Sequence, residues 1–164
     1  MAGSTIIPTR MELTRLKKKL ISARKGHKLL KDKRDELMRQ FLSMVRENKE
    51  LRESVERGIA EANSGFALAR SAMSDEAVRV AFMAPKQKVS IDVAYRNIMS
   101  VEVPEYSVQT RTSDAADIFS YGFAFTSADL DDAVEKLQGV FPEMMKLAQT
   151  EKSCQLMAAE IEKT

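Results

Sequence analysis

The chain has 164 residues, with 26 Lys or Arg against 24 Asp or Glu and a formal net charge of +2. Its low content of glycine (six) and proline (four), together with much Ala, Leu, Met, Lys, Arg and Glu, favours helices. The single cysteine excludes an internal disulfide, no apolar run of about 18 residues is present to cross a bilayer, and no secretory signal is visible, so we expect a cytoplasmic protein.

The first predicted element is a long helix over residues 10–82, a stretch that contains no proline. Apolar residues recur there in alternating steps of three and four, and a 3.5-residue period sustained this long is typical of a left-handed coiled coil. At about 1.5 Å per residue the helix would be roughly 110 Å long. Its apolar seam is predicted to contain Leu13, Leu16, Leu20, Leu30, Leu37, Phe41, Met44, Leu51 and Val55.

Positive charge is concentrated at the start of this helix. Residues 1–34 contain eleven Lys or Arg and only two acids, Glu12 and Asp32, so the two ends of the chain are expected to meet different partners. One interpretation of the basic stretch is a solvated helix face. Another is a stripe that neutralises the phosphates of a nucleic acid, although it lacks the interleaved aromatic residues that bind single strands.

The apolar stripe widens in the second half of the helix. A wider stripe requires more than one partner helix to cover it. Drift between 3.5 and 3.6 residues per turn explains the same pattern. The positions that flank the seam are basic up to residue 34, and beyond it they are occupied by Met38, Val45, Arg52, Ile59, Phe66 and Met73.

Two alternating segments follow, and both are predicted to be strands. In 89–95 and 97–103 apolar and polar residues alternate as on half-buried strands, and Pro104 is expected to end the second. A tight turn around Arg96 and Asn97 would join them as a hairpin, because Asn tolerates the positive backbone angles of such turns. The chain from 104 to 125 is predicted to be an irregular, partly packed loop with Tyr106, Phe119, Tyr121, Phe123 and Phe125.

The second helix is predicted over residues 127–164, with a kink or restart at Pro142, because proline removes a backbone donor and clashes one turn back. The sequence therefore predicts an all-α dominated fold: a long antiparallel two-helix coiled coil with a small β-hairpin and loop head between the helices. The predicted domains are 10–82, 83–126 and 127–164. The seam of the second helix contains Leu130, Leu137, Val140, Met144, Leu147, Cys154 and Ile161.

No residue pattern for catalysis or cofactor binding is visible. His27 is the only histidine, so a histidine-based metal site or charge relay has no second partner. Cys154 lies on the apolar seam and is expected to be a buried small hydrophobe. The phosphate-binding pattern G-x-x-x-x-G-K-S/T is absent. We therefore predict a non-enzymatic chain without catalytic, cofactor-binding or metal-binding residues.

Several motifs resemble the D subunit of V-type and archaeal-type rotary ATPases. They are Ile7-Pro-Thr-Arg10, the L-x-x-L-K pattern from Leu13, and G-x-x-L-L-K-x-K-R-D-x-L from Gly26 to Leu37. Segments 97–104, 151–157 and 160–164 resemble the same family, so the resemblance covers most of the chain. It implies a non-catalytic rotor shaft in the central stalk, which transmits torque between ATP hydrolysis or synthesis and ion translocation in the membrane sector.

The resemblance also implies partners and a location. The partners are the catalytic and regulatory subunits of the hexamer, the small F subunit of the central stalk, and the funnel-shaped subunit on the membrane ring; neither a cofactor nor a nucleic acid nor membrane insertion is expected. The location is cytoplasmic and peripheral to the membrane. The basic side chains expected to face the stator are Arg10, Arg15, Lys18, Arg24, Lys25, Lys28, Lys31, Lys33 and Arg34. The hairpin residues expected to serve docking or regulation are Val89, Ile91, Val93, Tyr95, Ile98, Met99, Val101 and Val103.

One departure from the family concerns the C-terminus, because family members continue past Thr164 with a basic stretch and a further helical segment. In this shorter chain the second helix is expected to cover only the head-proximal half of the first. The seam from Leu13 to Met44 is then expected to lack an intramolecular partner. The alternative interpretation of the whole chain is an unrelated antiparallel coiled-coil adaptor with a basic, nucleic-acid-binding end.

Overall fold

The computed structural model describes residues 8–111, 115–122 and 126–163, and it confirms the predicted helix-dominated fold class. A long N-terminal helix packs against a C-terminal helix, and we call this pair the shaft. Phe123 and Phe125 of the predicted loop lie outside the described residues. In chain order the elements are α1 (Arg10–Ala72), α2 (Asp75–Ala81), β1 (Lys88–Ile98), β2 (Val101–Arg111), a short 3-10 helix (Ala115–Ile118) and α3 (Ala128–Lys163).

Helix α1 has 63 residues and is about 95 Å long at 1.5 Å per residue. Thr9 caps its N-terminus, where the Thr9 hydroxyl accepts a hydrogen bond from the backbone N–H of Glu12 (3.3 Å). Glu12 also places a negative charge at the positive end of the helix dipole. Both residues therefore fix the start of the helix where its apolar periodicity begins.

The first helix is shorter than predicted. It ends at Ala72, whereas the sequence predicts one helix as far as residue 82. Ser74 opens α2, because its hydroxyl accepts a hydrogen bond from the N–H of Ala77 (3.2 Å) and two acidic residues occupy the first turn. The break turns α2 so that Ala81 is buried with Leu130, a tertiary contact that the helical periodicity does not reveal.

Helix α3 is continuous through Pro142, so the predicted restart does not occur. The proline is exposed, and the carbonyl group one turn back, at Gln138, can bond to water in place of the missing N–H. Contacts with α1 on both sides of the proline, at Val140 and Glu143, hold the helix together at this point.

The hairpin turn lies at Met99 and Ser100, which corrects the predicted turn at Arg96 and Asn97. Both turn residues have positive φ angles, 51° and 74°, as two-residue turns of type I′ require. Asn97 stabilises the turn from the end of β1, because its Oδ1 accepts a hydrogen bond from the N–H of Ser100 (3.0 Å). Asparagine therefore marks the turn through its side chain and not through its own backbone angles.

Strand β2 passes through Pro104, so the predicted stop at this residue is wrong, and 104–111 form a strand instead of the predicted loop. The register explains why proline is tolerated. Ile98 and Val101 flank a two-residue turn and exchange ladder hydrogen bonds, so every second residue from Glu102 onward directs its N–H away from β1. Pro104 occupies one of these positions, where the ladder needs no donor.

The hairpin does not form a head at the end of the helix pair but folds back along it. Val101 and Val103 at its tip are buried with Leu37 and Met157, far along the shaft from the place where the chain turns. The physical reason is burial: these two valines cover apolar residues of α1 and α3 that would otherwise face water.

Strand β2 is also the strand that contacts the C-terminal half of α3. The outward N–H of Tyr106 donates a hydrogen bond to Oε1 of Gln149 (3.0 Å). Because Pro104 and Tyr106 lie on the same edge of β2, α3 covers that edge. Strand β1 is therefore the outer strand, and its residues 91–97 are exposed. The division into three domains stays a prediction.

Candidate functional site

Small residues allow α1 and α3 to approach closely in the half of the shaft next to the turn. A β-carbon on Gly58 would overlap the side chain of Val140, and one on Gly65 would lie 3.3 Å from the β-carbon of Ala133. Ala62, which lies between the two glycines on the same face, is buried. Such interdigitated packing opposes sliding of one helix along the other.

Polar contacts connect the two helices at four further positions. These side chains are partly or largely exposed, so each contact adds little stability, but together they fix the register of the helices. One of the contacts joins Arg52 to Glu151. The hydrogen bond between these two side chains and, after it, the negative charge of Glu151 raise the pKa of Arg52. The contacts are Lys33 Nζ with Glu160 Oε1 (3.6 Å), Lys146 Nζ with Glu47 Oε1 (2.9 Å), Ser54 Oγ donating to Glu143 Oε2 (2.8 Å), and Arg52 with Glu151.

The predicted seam of α1 has two different surroundings. Leu37 and Val55 are buried, Leu51 is half-buried, and Phe41 and Met44 pack against the cluster at the hairpin tip. The prediction that the seam is unpaired as far as Met44 is wrong for residues 37–44, because the hairpin and the end of α3 cover them. Nearer the N-terminus the seam residues are 38–57% exposed, namely Leu13, Leu16, Leu20 and Leu30.

The predicted seam of α3 is displaced from the positions that are most deeply buried. Leu130 is buried, but Leu137 is 50% exposed and Met144 is 36% exposed. The hairpin packs on the neighbouring flank of α3, so burial shifts toward that flank. The residues Val140, Leu147, Cys154 and Ile161 are half-buried.

Two polar residues of α3 are buried, and their burial was not predicted from the sequence. Thr150 and Ser153 are buried, and each hydroxyl donates to the carbonyl oxygen four residues earlier, at Lys146 and Gln149 (both 2.8 Å). This bonding within the helix satisfies the hydroxyls, and the small side chains leave space for the hairpin. Their size and their ability to bond back to the helix were the only signals in the sequence.

Most of the predicted basic residues lie along a part of α1 that no other described element covers. Lys33 and Arg34, at the boundary, form ion pairs with Glu160 and Asp35. The others are exposed along the preceding helix and extend the shaft as a positively charged rod: Arg10, Arg15, Lys18, Arg24, Lys25, Lys28 and Lys31.

The predicted hairpin residues fall into two groups. Val101 and Val103 are buried against the shaft, and Ile98 and Met99 pack beside them, so these four anchor the hairpin. The four apolar residues of β1 remain 39–70% exposed, namely Val89, Ile91, Val93 and Tyr95. Only the second group is accessible to a partner.

A polar crevice of about 340 Å³ separates the middle of the hairpin from the shaft. Glu47 and Lys146 line it from the shaft, and Arg96 and Glu105 line it from the hairpin. The hairpin is therefore held at its apolar tip and at the Tyr106 hydrogen bond, with a hydrophilic gap between these two attachments.

Aromatic residues stabilise the turn end of the shaft. Rings pack edge to face or tilted from Phe66 through Phe82 and Tyr121 to Phe119, with centroids 6.0–6.3 Å apart. The hydroxyl of Tyr121 donates to Oδ1 of Asp131 (2.8 Å). Burial, followed by this hydrogen bond, raises the pKa of Tyr121 well above its ordinary value. The predicted partly packed loop thus contributes a specific contact to the start of α3.

The described residues contain no group of three or more His, Cys, Asp or Glu arranged to hold a metal ion. No helix within the same ranges has both the length and the apolar character needed to cross a bilayer. Burial raises the pKa of the Cys154 thiol, and the carboxylates of Glu151 and Glu47 act in the same direction. A raised pKa lowers the thiolate fraction, so this cysteine is a poor nucleophile.

The antiparallel pairing of α1 and α3, with a basic extension and a folded-back hairpin, defines an elongated two-helix coiled-coil protein. A model of the ATP synthase D-subunit family matches residues 12–164, and the chain belongs to this family. This membership does not support the alternative of an unrelated nucleic-acid-binding adaptor.

Relatives named as the D subunit of a V-type ATP synthase match the whole chain. The protein of Acetivibrio thermocellus is 58% identical over 164 residues, which are 74% of its length. Those of Clostridium novyi and Clostridioides difficile are 53% and 54% identical over 165 and 164 residues, or 76% and 73% of their lengths. The chain is thus similar to about three quarters of each relative.

Proposed function

We propose that the chain is the rotor shaft in the central stalk of a V-type rotary ATPase, transmitting torque between ATP hydrolysis or synthesis in the catalytic hexamer and ion translocation in the membrane sector. The antiparallel pairing of α1 and α3 carries this proposal. Close packing at Gly58 and polar contacts along the shaft mean that torsion must shear a packed interface. In this role the chain performs no catalysis itself.

The basic extension of α1 is the part that we expect to enter the hexamer of catalytic and regulatory subunits. Its exposed Lys and Arg side chains can attract acidic loops of a surrounding stator over several ångströms. Long-range attraction suits a rotating contact better than fixed apolar packing, because the shaft must release each subunit and engage the next.

A second exposed stripe supports the binding of the F subunit of the stalk. Met38, Leu42 and Val45 are 39%, 49% and 41% exposed, and their spacing places them on one flank of α1. Helical periodicity puts this flank away from Gln40 and Ser43, which line the hairpin crevice. An apolar stripe of this kind fits a partner helix, and we propose that the F subunit supplies it.

The opposite end of the shaft carries exposed apolar residues around α2. Val80 is 69% exposed, Phe82 is 47% exposed and Met83 is 81% exposed. We propose that the funnel-shaped subunit on the membrane ring covers this end. The chain would then be cytoplasmic and peripheral to the membrane.

Reconstitution tests this function. We expect the chain and the F subunit to elute from a sizing column as a one-to-one complex, and a Met38→Glu/Leu42→Glu variant to elute separately from it. Leu68→Glu, which adds a charge at another exposed position of α1, is the matched control and should still bind. With the hexamer added, a bead attached to the chain should rotate when ATP is supplied. Absence of both the complex and rotation would overturn the proposal.

A further inference from the structure

Strand β1 presents an unprotected edge together with an apolar face. Among the strands of the described ranges it pairs only with β2. Val89, Ile91, Val93 and Tyr95 lie on one face of the sheet and are exposed. Natural edge strands commonly use prolines and β-bulges to prevent association. Strand β1 contains no proline, and its register with β2 is free of bulges.

The register identifies the backbone groups that are free at this edge. Because Ile98 and Val101 exchange ladder hydrogen bonds, the alternating residues Val93 and Tyr95 stand in pairs that are not hydrogen-bonded, opposite Tyr106 and Pro104. Their N–H and C=O groups point away from β2. The hydrogen bond from the corresponding N–H of Tyr106 to Gln149, on the other edge of the sheet, agrees with this alternation.

The side chains of β1 complement a second copy of the same strand. When two β1 strands pair antiparallel with Ala94 opposite Ala94, Asp92 of each copy lies opposite Arg96 of the other. Val93 and Tyr95 lie opposite each other in the same way, and their free backbone groups exchange hydrogen bonds. Opposite side chains in such a pair are about 5 Å apart at the β-carbon, so both ion pairs and both apolar pairs form.

We propose that β1 is a homotypic docking edge through which two copies of this chain form an antiparallel dimer centred on Ala94. The dimer is closed, because α3 covers the other edge of each hairpin through Tyr106 and Gln149. The two copies would thus share a four-stranded sheet in which each β1 has used its free edge and both outer strands are β2. This inference does not rest on the proposed function: a single chain in a stalk leaves β1 unpaired, and the dimer is the form of the unassembled chain.

Charge exchange tests the pairing directly. Sedimentation equilibrium of the full chain should show a monomer–dimer equilibrium, and Asp92→Arg or Arg96→Asp alone should weaken it by about tenfold or more, because each places like charges opposite each other. The double variant should restore the dimer, and a mixture of the two single variants should form a heterodimer. Glu102→Arg makes the same charge change as Asp92→Arg at an exposed position of β2, and it is the matched control.

Hydrogen exchange provides a second readout. The N–H groups of Val93 and Tyr95 should be protected only at concentrations where the dimer forms. A chain that stays monomeric at every concentration would overturn the proposal. So would a dimer that both single charge variants leave intact; if Leu20→Ser/Leu30→Ser dissociated it instead, the contact would lie on α1. Circular dichroism of each variant verifies that the shaft remains folded.

Discussion

Gly58 of α1 stands directly opposite Val140 of α3, so close that the space between them has no room for a β-carbon on the glycine. The contact lies between the aromatic cluster at the turn and the cluster at the hairpin tip. The two helices are therefore joined at three levels, each in a different way: by rings, by close backbone approach, and by the valines of the hairpin.

The first prediction concerns this close approach. Gly58→Ala is expected to lower the free energy of unfolding by about 1–3 kcal/mol through overpacking, although alanine is the better helix former by about 1 kcal/mol. Urea unfolding would measure the change. Gly139→Ala is the control, since an added β-carbon there meets nothing within 4 Å and should stabilise the chain. Val140→Ala should rescue Gly58→Ala; equal stabilisation by both glycine substitutions would contradict the close packing of the two helices.

The second prediction concerns the anchor of the hairpin. Leu37→Ala is expected to lower the free energy of unfolding by about 2–5 kcal/mol, because it opens a cavity among fully buried side chains. It should also release the hairpin tip, so hydrogen exchange in β2 should become faster. Leu42→Ala, at a half-exposed position one turn away, should change neither quantity appreciably. An unchanged exchange rate in β2 would show that Leu37 does not hold the hairpin.

The third prediction concerns pH. The pKa of Tyr121 is raised in the folded chain, whereas an unfolded tyrosine has a pKa of about 10. Above pH 10 the unfolded chain releases this proton while the folded chain retains it, so the free energy of unfolding falls as pH rises. Tyr121 therefore contributes its full stability below pH 10 and loses it above.

Substitution isolates this contribution. Tyr121→Phe should reduce the decline in stability above pH 10, and at pH 7 it should lower the free energy of unfolding by about 1 kcal/mol through loss of the hydrogen bond to Asp131. Tyr95→Phe, at an exposed position on β1, should preserve the decline. Unfolding curves in urea below and above pH 10 measure both effects. An identical decline in the Tyr121 variant would refute the assignment.

The fourth prediction concerns the basic extension. Lys28→Glu/Lys31→Glu should change the free energy of unfolding by no more than about 0.5 kcal/mol, because both side chains are exposed and surface changes of this kind are nearly neutral. The same variant should bind the catalytic hexamer more weakly, most clearly at low salt, where exposed charges are least screened. Lys136→Glu, an exposed charge change near the turn, is the control. Equal binding by both variants would argue against electrostatic contact at this end.

The sequence alone predicted the two long helices, their antiparallel arrangement and the segment that forms the hairpin. Heptad periodicity is repeated over many turns, so a single polar residue on the seam, such as Asn48 between Met44 and Leu51, does not hide it. The N-cap pattern of Ser74 with two acidic residues after it was a local signal for the break that the periodicity obscured. The burial of Thr150 could not be predicted, since it depends on which element packs against it. Asn97 marked the hairpin turn but not its register, because its side chain acts on a turn two residues further on.

What the sequence by itself determined is therefore the local periodicity: which faces are apolar, which segments alternate, and where positive charge accumulates. Only the tertiary structure decided what covers each face. It placed Val103 against Leu37 and Met157, left Val93 in water, and shifted the buried line of α3 from Leu137 and Met144 toward the hairpin. The physical reason is that apolar burial is non-directional, so the pattern of one segment does not specify its partner.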